Sequence, residues 1–219
     1  MATDALKSQS ITNLDAVPSV PNTAAQGAPG RSVQVDDYVT CTVTGLQSVG
    51  SYYRLVRIPT NAVIKSVVIA GAALDSKPTS PTLALDFSLA FSDDATVGDG
   101  TPTFLQGLIP QTGTAGTTTT FATYSSPNIV FGTFTVTTAT GMGGGTATIA
   151  PTDIFFSGSR TNYPLSVLIN EPAWQWFGFT DGRGNPADPG GMFDLVAYVS
   201  TGAATGTTGT LYAKVTYNI

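Results

Sequence analysis

From Val33 the chain alternates, with Val33, Val35, Val39, Cys41 and Val43 apolar against Gln34, Asp36, Thr40 and Thr42. A period of two gives a strand with one buried and one wet face. Leu83, Leu85, Phe87, Leu89 and Phe91 repeat the pattern up to Asp93-Asp94. The closing stretch reads Leu211, Ala213, Val215, Tyr217 and Ile219 inward, with Tyr212, Lys214 and Thr216 outward. Tyr52–Ile58 and Val63–Ala70 predict two more strands, joined across Pro59-Thr60-Asn61-Ala62, which has the chemistry of a short turn. Phe193–Val199 carries apolar residues on both faces, as a strand covered on both sides does. Ile129–Thr138, Thr146–Ala150 and Leu165–Ile169 predict shorter strands. Only Glu171-Pro-Ala-Trp-Gln-Trp-Phe177 predicts a helical turn, with Pro172 at its first position and Gly178 closing it. About eight to ten strands and almost no helix predict an all-β fold, a jelly-roll-like antiparallel β-sandwich.

Two regions fit that sandwich poorly. Residues 1–31 contain Pro18, Pro21 and Pro29 and little periodicity, and read as an extended N-terminal arm before a domain spanning 32–219. The arm reads either as a disordered tail or as a strap that orders against a neighbouring subunit, for which Ile11, Leu14, Val17 and Val20 offer apolar anchors. Residues of about 110–150, rich in Thr and Gly, read as an inserted hairpin or lobe with too few large apolar side chains for a core of its own.

Composition narrows the class. Charged residues are 11% of the 219, with a single Glu (Glu171) and four Lys, so long surface helices lack their usual material. The net charge is −5 and the sequence pI about 4.4. Nine scattered cations do not make the basic stripe that phosphate backbones require, so no direct nucleic-acid partner is expected. No apolar run approaches the ~18 residues of a membrane helix, so no membrane partner is expected either. The start, Met1-Ala-Thr-Asp-Ala-Leu-Lys7, lacks the pattern of a signal peptide, which predicts a protein made in a cytoplasm that stays soluble. One cysteine, Cys41, cannot form an internal disulfide, and at an inward position it behaves as a small hydrophobe.

The search for chemistry returns little. The chain has no histidine, which removes the commonest general base and metal ligand and every Ser-His-Asp or Cys-His arrangement. Asp36-Asp37 and Asp93-Asp94 are adjacent pairs that read as strand-edge or turn carboxylates, because neighbours on a strand point to opposite faces. Asp181–Asp188 lacks the alternating oxygen ligands of a calcium loop, and Gly141–Gly145 does not precede a helix as a phosphate cradle does. No catalytic residue, metal or cofactor is therefore expected. Trp174, Trp176 and Phe177 read as core or subunit-interface aromatics, with a sugar-stacking platform as the alternative. Arg54 and Arg57, three apart on a strand, are expected to face opposite ways, one toward a carboxylate and the other toward solvent or a partner.

Three stretches carry a resemblance. One is Tyr52-Tyr-Arg-Leu-Val-Arg-Ile-Pro-Thr-Asn-Ala-Val-Ile-Lys-Ser-Val-Val-Ile69. The next runs from Pro172-Ala-Trp-Gln-Trp-Phe-Gly-Phe179 through Asp188-Pro-Gly-Gly-Met-Phe-Asp-Leu195, and the last is Gly209-Thr-Leu-Tyr-Ala-Lys-Val-Thr-Tyr217. They resemble the hairpin, Trp-containing turn, Asp-Pro-Gly loop and closing strand of the jelly-roll head decoration, or cement, proteins of tailed bacteriophages. The resemblance implies a non-enzymatic virion protein, made in the host cytoplasm, that binds the outer capsid surface and stabilises the lattice. It implies the major capsid protein as partner and a homotrimer or homodimer, with Ile11, Leu14, Val17, Val20, Arg54, Arg57, Trp174 and Trp176 as expected contacts. A tail or fibre component and a carbohydrate-binding sandwich are the rival readings.

Overall fold

Alternation decides where the strands form, and their order in the chain decides how they stack. The computed structural model describes residues 5–15, 32–77, 79–91, 130–135, 149–157, 159–161, 168–177, 183–188 and 190–219. A short strand β1 (Ala5–Lys7) and helix α1 (Gln9–Asp15) come first. Then follow β2 (Ser32–Cys41), α2 (Val43–Gln47), β3 (Tyr52–Pro59), β4 (Val63–Gly71), β5 (Ala84–Phe91) and β6 (Val130–Thr135). The remainder is β7 (Ile149–Asp153), α3 (Ile154–Ser157), β8 (Ser159–Thr161), a 3-10 turn at Ala173–Phe177, β9 (Met192–Thr201) and β10 (Gly209–Asn218).

The strands make a six-stranded sheet, β1-β3-β9-β5-β6-β8, and a four-stranded sheet, β2-β10-β4-β7. From β2 to β5 the chain changes sheet at every connection. The early strands consequently lie beside the late ones, β2 beside β10 and β3 beside β9. This double winding is the jelly roll. β3 and β4 are therefore not a hairpin, because Pro59–Ala62 is a corner between sheets. Between the sheets, Phe87, Leu89, Leu195 and Ala197 face Val39, Cys41, Leu211 and Val215, all buried. The inward and outward parities read from β2 and β10 hold within those strands, as does the inward set Leu83, Leu85, Phe87 and Leu89, while Ile219 ends exposed.

Several expectations are corrected. Val43 does not extend β2: the Thr42 hydroxyl accepts a bond from the Gly45 N–H and caps α2, leaving Val43 at the surface. Residues 168–170 form a helix end and turn rather than a strand, and 162–167 lie outside the described residues. Within the expected arm, 5–15 pack against the sandwich of their own chain, while 16–31 lie outside the described residues. Within the expected insertion, β6 pairs with β5 and β7 pairs with β4, so its described parts belong to the two sheets. Gly132 shows how closely β6 is packed, since a Cβ there would stand 2.9 Å from the Ile154 carbonyl oxygen of α3. Asp36 and Asp37 sit in the middle of β2 rather than at its edge, and Asp93-Asp94 lies outside the described residues.

Candidate interaction site

Arg54 and Arg57 do not face opposite ways. Between Arg54 and Val56 the register of β3 on β9 slips, so Arg54 lies opposite Val196, Val56 opposite Leu195 and Arg57 opposite Asp194. One extra residue in a strand restores the same face after three positions instead of two. Both guanidinium groups therefore reach Asp194, on the face of the six-stranded sheet turned away from the four-stranded one. Arg54 Nη1 donates to Asp194 Oδ2 at 2.7 Å, and Arg57 Nε to Oδ1 at 2.7 Å. Arg54 and Asp194 are fully buried. A carboxylate in that setting needs a cation beside it, because an unpaired buried charge is strongly disfavoured.

From Arg57 the chain of charges continues outward. Arg57 Nη1 donates to Asp15 Oδ1 in α1, and Lys7 Nζ to Asp15 Oδ2 at 2.9 Å. Burial works against the Asp15 carboxylate, but hydrogen bonds from Arg57 and Lys7 outweigh it and hold its pKa below the usual value. Burial likewise opposes the Arg57 charge, and its bonds to Asp194 and Asp15 raise its pKa. The N-terminal segment is fastened here by three further means. β1 lies parallel to β3, the Ser8 N–H donates to the Arg54 carbonyl at 2.8 Å, and Ile11 is wholly buried. Of the expected partner contacts, Ile11, Arg54 and Arg57 are thus brought together, but inside the chain. Leu14 lies in α1, and Val17 and Val20 lie outside the described residues.

Trp176 takes the core reading rather than a place among the partner contacts. Its indole is fully buried, lies nearly parallel to Phe155 with centroids 6.2 Å apart, and donates from Nε1 to the Glu171 carbonyl at 3.2 Å. It packs the core and presents no ring to a partner or a sugar. Trp174 is partly buried against the same core. The turn that holds them is tied to the β3–β4 corner: Ala173 N–H donates to the Ala62 carbonyl at 2.8 Å and Trp174 N–H to that of Thr60 at 3.0 Å. Thr60 N–H in turn donates to the Gly191 carbonyl at 3.1 Å.

The comparisons with known proteins are sparse. No family model matches the chain, and no curated protein matches it. Two solved structures are similar in shape. The capsid of Ralstonia phage GP4 matches at 15% identity and a TM-score of 0.49, covering 98% of this chain and 97% of that one. The cyanophage Pam1 capsid asymmetric unit matches at 15% identity and a TM-score of 0.35, covering 92% and 94%. Neither likeness is strong enough to bear on function.

Two features escaped the sequence reading. The first is Asp75, fully buried between the β4–β5 and β9–β10 connections. Its carboxylate accepts backbone N–H bonds from Lys77, Thr82, Leu83, Ala204 and Thr205. An Asp just ahead of Ser-Lys-Pro is an ordinary turn signal, and nothing local announces the second loop. The second is the outer face of the four-stranded sheet. There Tyr38 and Tyr212 stand directly opposite each other, 49% and 46% exposed, with ring centroids 5.5 Å apart. Among the described residues no group of three or more His, Cys, Asp or Glu is placed to hold a metal ion.

Proposed function

We propose that this chain is a virion structural protein that binds the outer surface of a phage capsid and stabilises its lattice. The observation that carries the reading is the convergence of the resembling stretches. The corner Thr60–Ala62, the Trp turn and the loop at Gly191 are bonded to one another, β3 pairs with β9, and β4 pairs with β10. These form one connected unit.

The rest of the molecule is compatible with that role. A decoration protein needs a rigid body that makes modest contacts repeated many times around a symmetric shell, where effective concentration adds to each single affinity. The resemblance makes the major capsid protein the partner and a homodimer or homotrimer the form. We propose no catalytic role for a chain without histidine. The burial of Trp176 removes one of the three aromatic rings on which a sugar-binding reading rested.

The test is add-back. Capsids assembled without the protein and mixed with the purified chain are expected to take it up on their outer surface to saturation, and then to retain DNA to a higher temperature. Failure to bind intact capsids, or binding confined to tails, would overturn the proposal.

A further inference from the structure

We propose that residues 5–15 form an exchangeable strap, which docks on β3 of its own chain or, identically, on β3 of a second copy. The inference concerns the chain itself and does not rest on the virion reading. The docking site lies wholly within the described residues. It is the β1 side of β3, with registers Ala5↔Tyr52, Leu6↔Tyr53 and Lys7↔Arg54, the bond from Ser8 N–H to the Arg54 carbonyl, the burial of Ile11, and the Asp15–Arg57 pair.

Three observations point to exchange. First, β1 joins the sheet as a parallel neighbour, so no tight turn binds it to β3, as one would in a hairpin. Second, the chain leaves α1 at Asp15 and re-enters at Ser32, the start of a strand in the other sheet, leaving residues 16–31 between. Sixteen residues reach at most about 55 Å when extended, against a radius of gyration of about 17 Å for a domain of this size. The tether is long enough for a neighbour's β3. Third, the strap is held by the buried Ile11 and Ser8, by Leu6 packed on the core, by one short ladder and by the ion pairs of Asp15, all of which a second copy offers unchanged.

Because the contacts are the same in both arrangements, concentration decides between them. A short tether gives its own chain an effective concentration of about 1 mM. Below that the strap docks at home, and near or above it, in a concentrated solution or among copies crowded on a surface, reciprocal exchange closes a two-fold dimer.

The experiment uses full-length chains carrying Cys41→Ala, one with Ala5→Cys and the other with Tyr52→Cys, mixed at about 1 mM and oxidised. Adjacent strands bring such a pair within disulfide reach. A covalent heterodimer on a non-reducing gel is expected, falling at least tenfold when the mixture is oxidised at micromolar concentration. The chain carrying both cysteines serves as control and is expected to close internally at low concentration. No heterodimer at 1 mM while that control closes would overturn the proposal. A second reading is independent of the cysteines: the unmodified chain near 1 mM is expected to show a dimer by light scattering that vanishes on deletion of residues 1–15. A dimer surviving that deletion, or no dimer at all, would also overturn it.

Discussion

Asp75 joins two connections that lie far apart in the chain. Burial pushes its pKa up, but the N–H bonds of Thr82, Ala204, Thr205 and Lys77 outweigh that and hold it below the ordinary value. A carboxyl with a lower pKa folded than unfolded binds fewer protons in the folded state, so acid favours unfolding. Its stabilisation is complete above the unfolded value of about 4 and is lost as pH falls through the folded value. Asp75→Ala leaves several buried N–H groups without an acceptor and is expected to cost about 3 kcal/mol at neutral pH. Urea titrations from neutral to acid pH check this: the difference between variant and parent should shrink below about pH 4. A difference that stays constant into acid would show that the carboxylate charge is not what matters. Asp194 shows why such residues are hard to read. In Met-Phe-Asp-Leu-Val-Ala-Tyr-Val it passes as one polar break in an apolar run, and its partners Arg54 and Arg57 are more than 130 positions away. A charge inside an apolar strand does announce that a counter-charge must exist, but not where it comes from.

At the level of elements, the sheet edges share one property. Among the described residues, the six-stranded sheet ends in β1 and β8, each of three residues, and the four-stranded sheet ends in β7, which carries Pro151. The remaining edge, β2, is ten residues long, and it places Asp37 at an inward position opposite Ala213. Short edges, proline and an inward charge all hinder edge-to-edge pairing. Asp37→Val completes the apolar alternation of β2 and is expected to promote self-association, read as a rise in mass by light scattering at fixed concentration. An unchanged monomer would remove Asp37 from that role. The strands themselves were legible because β2, β5 and β10 alternate strictly, and Thr42 carried a cap signal for α2 that was passed over. The slip between Arg54 and Val56 was not legible, because it depends on the partner strand β9 and leaves no mark in β3. The same holds for residues 5–15, whose sequence resembles a tail until β3 is there to receive it.

For the whole molecule, the sequence order of strands is enough to explain the architecture. A chain that changes sheet at each early connection brings its first sandwich strands beside its last, and the jelly roll follows. The predicted class was therefore correct, and residues 5–7, 130–135 and 149–153 contribute strands to its sheets. What that body does remains tied to the unit formed by the β3–β4 corner, the Trp turn and the β9 entry. The central claim, a repeated virion component on the capsid exterior, is tested most directly by its copy number per purified particle, measured by quantitative mass spectrometry against the major capsid protein. A lattice-following decoration protein should be present on the order of hundreds of copies, in a simple ratio to the capsid protein, whereas about a dozen copies or fewer would place it in the neck or tail and contradict the claim.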